Sequence, residues 1–119
     1  MSFVAIDHVQ LAIPEQGEDQ ARKFWCDLLG FVELPKPEAL AKRGGAWFEN
    51  GSVQVHVGVE TLFAASQKAH PAFRVSDLPA LVTLLTKSGY PVRWDTEIPD
   101  VHRCHVNDPF GNRIELIQQ

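Results

Sequence analysis

The chain has 119 residues, 45% of them apolar and 22% charged, and a formal net charge of −4. That length and balance fit one soluble globular domain able to bury a core without disulfide staples. The acidic balance argues against nucleic acid or an anionic membrane as the main partner, and no apolar run approaches the roughly 20 residues of a membrane span.

In chain order, residues 3–13 read as a strand. Within them "IDHVQLAI" (6–13) alternates, with His8, Gln10 and Ala12 on one face and Asp7, Val9, Leu11 and Ile13 on the other. Pro14 ends the strand. A helix is predicted over 18–29, where Ala21, Phe24, Trp25, Leu28 and Leu29 recur at helical spacing and Gly30 supplies the stop. A short strand over 31–34 is broken by Pro35 and Pro37. "GGAWFENGSVQVHVGV" (44–59) reads as a hairpin turning at Asn50-Gly51. Residues 60–69 are a connector with room for a helical turn.

The pattern then restarts. "HPAFRV" (70–75) is a strand, and Asp77 caps a helix carrying Leu78, Leu81, Leu84 and Leu85 up to Gly89. "PVRW" (91–94) is a short strand, and "HRCHVNDPFGNRIELI" (102–117) is a second hairpin. His8 to His70, Gly30 to Gly89 and Gly51 to Gly111 are all offset by about 60 residues. The expected fold is therefore α+β: two βαβββ modules, about 1–59 and 70–119, in a single domain over 1–119, each giving one curved sheet and together a half-barrel cleft. The two cysteines, Cys26 and Cys104, form no CxxC pair, and the N-terminus lacks a signal-peptide pattern, so a reducing cytoplasm is the expected location.

The duplication places His8 and His70 at matching positions. The last strand, "NRIELI", sets Arg113, Glu115 and Ile117 against Ile114 and Leu116. Glu115 is a carboxylate in an apolar strand, a costly arrangement unless it is paired, protonated or bound to metal. Each residue alone has a plain structural explanation; it is their repeat-related placement that suggests a metal site. Two imidazoles and a carboxylate suit one divalent ion of zinc, nickel, iron, manganese or cobalt, with positions left open for substrate and water.

Four motifs carry a resemblance over almost the whole chain: "DHVQLAI", "FWCDLLGF", "HPAFRV" and "DPFGNRIEL". With them the chain resembles the vicinal oxygen chelate superfamily, which includes glyoxalase I, extradiol dioxygenases, fosfomycin-resistance thiol transferases and bleomycin-binding proteins. The resemblance implies that His8, His70 and Glu115 are metal ligands. It also implies a small-molecule substrate with vicinal oxygens, lyase, dioxygenase or thiol-transferase chemistry, and a homodimer. In glyoxalase I a further ligand, a Glu, is expected on the fourth strand, where this chain has Gln54 and His56. Alignment on the apolar frame favours Gln54, whereas counting from the turn glycine favours His56, a better donor. His56 is therefore open as a ligand, a catalytic base or a polar residue of the cleft, with Glu115 the other catalytic candidate. Gln10, Arg74, His105 and Arg113 are candidates for binding substrate, and of Arg93 and Arg103 at least one is expected to have an ordinary surface role. The alternative is a metal-independent protein of the bleomycin-resistance type that sequesters a small molecule or antibiotic.

Overall fold

The computed structural model describes all 119 residues. They form two compact units, Met1–Ala64 and Ala65–Gln119. Each unit holds one four-stranded mixed sheet with helix on one face, so the fold class is α+β as expected.

In the first unit the strands are β1 (Val9–Ile13), β2 (Val32–Leu34), β3 (Ala46–Asn50) and β4 (Val53–Val59), in the order β1-β4-β3-β2. β1 runs parallel to β4 and the other pairs are antiparallel. Ile13, Phe48 and Val55 point to the face covered by Ala21, Phe24 and Trp25, and all six are buried. Full burial of such aliphatic and aromatic side chains contributes about 1.5–3 kcal/mol each. The predicted strand over 3–13 is shorter than expected. β1 pairs only with β4, from Val9↔Val55 to Ile13↔Val59. The ladder begins at Val9 although β4 itself starts at Val53, and residues 3–8 lie exposed outside the sheet.

The predicted helix over 18–29 is present but changes pitch. α1 (Glu18–Arg22) passes into a π-helical stretch, Lys23–Leu28, in which the Leu29 amide donates to the Phe24 carbonyl at 3.0 Å. It ends at Gly30, whose φ of 78° is the left-handed value that favours glycine. A short helix, α2 (Glu38–Ala41), was not expected from the sequence; Pro37 is suited to the start of such a turn.

The second unit repeats the plan with β5 (Ala72–Val75), α3 (Leu78–Lys87), β6 (Arg93–Asp95), β7 (Arg103–Asn107) and β8 (Arg113–Gln118), in the strand order β5-β8-β7-β6. Asp77 caps α3 as predicted, its Oδ1 accepting the Ala80 amide at 3.1 Å. Leu78 and Leu85 from the helix and Cys104, Val106, Ile114 and Leu116 from the sheet form the core. Residues 60–69 contain no helical turn.

Candidate functional site

Register settles which side chains share a face. In the first sheet Gln10 lies opposite His56 on β4, and His56 opposite Trp47 on β3. In the second, Ala72 lies opposite Glu115 on β8, and Glu115 opposite His105 on β7. His8 precedes Gln10 by two residues, as His70 precedes Ala72. The repeat equivalent of Glu115 is therefore His56, not Gln54. The apolar-frame alignment is corrected by one pleat, because the two hairpins turn through loops of different length.

The side chains on the helix-free face of the first unit are stacked. The rings of Trp47 and His56 lie 4.5 Å apart and those of His56 and His8 3.9 Å, both nearly parallel. His8 lies just before β1 rather than within it, and its Nδ1 is 2.9 Å from the Asp7 carboxylate. His56 is only 6% exposed, and its Nε2 is buried without a hydrogen-bond partner. Burial, together with neighbouring His8, pushes the His56 pKa below the ordinary imidazole value, leaving a neutral ring with a nitrogen to offer. These residues line a groove of about 490 Å³ with Gln10, Lys36 and Arg43. Gln10 can lie flat across the sheet because residue 58 is glycine: a Cβ there would stand 2.7 Å from Gln10 Nε2.

The second unit presents an ionic cluster. Glu115 Oε1 is 2.9 Å from His70 Nε2 and 3.5 Å from His105 Nε2, and Oε2 accepts from Arg103 at 3.0 Å. Burial alone would push the Glu115 carboxyl up, but its bonds to His70 and Arg103 outweigh that and hold it below its ordinary value. Arg103 also pairs with Asp95 at 2.9 Å. Arg113 approaches His105 Nε2 at 3.1 Å, which assigns that nitrogen as the acceptor. Burial and Arg113 both lower the His105 pKa.

His70 is the informative residue. Its Nδ1 is 2.8 Å from the Lys68 carbonyl and its Nε2 faces Glu115. Both partners are acceptors, yet a neutral imidazole has one N–H. The Nε2–carboxylate pair therefore needs a second proton or a metal ion. The Lys68 contact fixes Nδ1–H, the usual outer support of a histidine that ligates through Nε2. Donor atoms of His70, His105 and Glu115 all lie within 4.8 Å of one another, so the residues present fit a divalent cation.

Of the sequence candidates, the second unit thus brings together His70, His105, Arg113 and Glu115, and the first brings together His8, Gln10 and His56. Arg74 is exposed on the face of Glu115, opposite Ile117, with no carboxylate in reach. Sequence reading missed the role of Arg103 as the link between Asp95 and Glu115; its alternation in phase with His105 was the available signal. Trp47 on β3 is the base of the His8–His56 stack.

The chain matches the model of the Glyoxalase/Bleomycin resistance protein/Dioxygenase superfamily over residues 5–116, and it belongs to that family. A glyoxalase family protein from Bacillus anthracis is 45% identical, with a TM-score of 0.95 over 100% of this chain and 98% of that one. The fold is also shared with a lactoylglutathione lyase from Agrobacterium tumefaciens (16% identity, TM-score 0.71, 96% and 92% of the two chains). The fosfomycin resistance protein FosX from Mesorhizobium loti is similar in fold too (13%, 0.69, 99% and 94%). No match was found among curated protein sequences.

Proposed function

We propose that the protein is a metal-dependent enzyme acting on a small substrate with two adjacent oxygens, and that His8, His70 and Glu115 hold one divalent ion. The observation that carries the reading is the His70–Glu115 contact, a buried carboxylate against an imidazole nitrogen whose partner nitrogen is already committed. In this reading the chain acts as a glyoxalase-like domain within a homodimer. When bound, the ion supplies Lewis-acid polarisation of the substrate oxygens. Glu115, kept ionised by Arg103, is the group able to take a proton from the substrate. His56, neutral and with a bare Nε2, is either a fourth ligand or a second base. Gln10, His105, Arg74 and Arg113 orient the substrate. Lyase, dioxygenase and thiol-transferase chemistry are all compatible with this donor set, as are zinc, nickel, iron, manganese and cobalt. A cytoplasmic location goes with two free thiols.

A second reading has its own observation: the Trp47–His56–His8 stack in an open groove suits a planar ligand, as in a sequestering protein. Elemental analysis of untagged protein separates the two. The expected result is about one divalent ion per chain, lost in His8→Ala and in Glu115→Ala. Absence of metal even after incubation with each ion would overturn the enzyme reading in favour of the sequestering one.

A further inference from the structure

The face of the second sheet that carries Glu115 is unusually basic for an acidic chain. Four of the 11 Lys and Arg residues, Arg74, Arg93, Arg103 and Arg113, lie on it, against two carboxylates, Asp95 and Glu115. Those two carboxylates are both taken by Arg103. The other three arginines have no carboxylate within 4.0 Å, although the chain as a whole is negative.

Two of the three are placed to act together. Arg93 lies directly opposite His105, and His105 directly opposite Glu115, so Arg93 is two strand spacings, roughly 10 Å, from the carboxylate. Arg113 precedes Glu115 by two residues on the same strand face, roughly 7 Å along it. The two arginines are held by neutral groups. Arg93 donates to Asn107 Oδ1 at 3.0 Å, and Arg113 reaches His105 Nε2 at 3.1 Å while its own Nε is buried without a partner. Asn107 and Arg113 are themselves opposite one another. Guanidiniums steadied by neutral acceptors keep their charge and most of their donors for a ligand.

We propose that Arg93 and Arg113 bind an oxyanionic group, a carboxylate or a phospho group, next to the His70–Glu115 centre. The substrate class of the enzyme proposed above is then anionic, with the anion on the β6–β7–β8 side of its metal-binding oxygens. The substrate statement rests on the enzyme reading, whereas the anion site rests on the arginines alone. The planar fork of Arg113 suits two oxygens of such a group, and Arg93 adds a second charge from the neighbouring edge strand.

The test uses metal-free, full-length protein with nitrogen-labelled arginine. Methylphosphonate and acetate are titrated separately at constant ionic strength, with chloride as the control, and the Arg93 and Arg113 side-chain N–H signals are followed. The expected result is a saturable shift of both signals with at least one oxyanion and none with chloride. Affinity should fall about tenfold in Arg113→Gln and in Arg93→Gln but stay unchanged in Lys87→Gln. The tighter of the two probes identifies the phospho or the carboxylate class. No saturable shift with either probe, or an affinity in both arginine variants unchanged from that of the unsubstituted protein, would overturn the site. If Arg113→Gln loses its dispersed spectrum, Arg113→Lys serves instead, with a severalfold loss expected because charge is kept and the fork is not. Metal content, measured on the same preparations after reconstitution, reports on the enzyme reading separately, since neither arginine is among its proposed ligands.

Discussion

The proton arrangement at His70 makes Glu115 the residue whose replacement is most informative. In the metal-free protein its carboxyl is held below the ordinary value near 4.5. A depressed carboxylate contributes stability that is fully present above the unfolded value and is lost as pH falls through the folded one. Glu115→Gln should therefore destabilise the protein at pH 7, by about 3 kcal/mol, because Arg103 and His70 lose a buried partner. The deficit should shrink as pH is lowered below about 4.5. Urea unfolding of metal-free protein at pH 7 and pH 3.5 measures this, and a deficit of equal size at both would show that the ionised form is not favoured by the fold. Cys104 offers a second residue-scale contrast. Burial pushes its thiol up to about 11, so it stays protonated and inert at pH 8. Half-buried Cys26 should be the thiol that a maleimide modifies in the native protein, with Cys104 reacting only after unfolding.

At the scale of elements, the two halves show the same plan executed with different fittings. α3 ends in a regular left-handed glycine stop, Tyr90 N–H donating to the Leu85 carbonyl and Gly89 N–H to Thr86. The first helix ends one residue wider through its π-helical stretch. The hairpins differ likewise: β3 and β4 join through a tight turn at Gly51, whereas β7 and β8 are joined by a five-residue loop whose ends, Asp108 and Asn112, are buried. In that loop Asp108 Oδ1 accepts the Phe110 and Asn112 amides and Oδ2 accepts the Asn112 side chain. This loop sets the register that puts Glu115 opposite His105. Gly45 is the corresponding constraint in the first unit. It has φ 81°, and a Cβ there would meet the Val57 carbonyl at 2.3 Å, next to His56. Gly45→Ala should cost more than about 2 kcal/mol in thermal or urea unfolding, combining strain with a backbone clash, and a neutral result would mean that this end of the β3–β4 ladder is free to relax.

At the scale of the whole molecule, the N-terminal segment is left uncovered. Phe3 is 98% exposed and Ile6 81%, with Val4 exposed between them. Clustered apolar side chains in water are the usual mark of an interaction surface. A homodimer is the expected state, and sedimentation should give a two-chain particle whose affinity weakens in Phe3→Ser/Ile6→Ser. A concentration-independent monomer would remove the dimer from the functional reading.

Alternation and the 60-residue repeat sufficed to write down two βαβββ modules, the cap at Asp77, the stops at Gly30 and Gly89, and His8, His70 and Glu115 as related positions. These are local or periodic features, and local steric and hydrophobic rules act on a sequence directly. What the sequence left open was any question of register across strands. Whether Gln54 or His56 matches Glu115 turned on the lengths of two hairpin loops. The start of β1 turned on how far its ladder with β4 extends, and the link from Asp95 through Arg103 to Glu115 turned on three strands aligning. Only the tertiary structure decides these, because strand pairing joins residues far apart in the chain, and a shift of one residue moves every side chain to the opposite face.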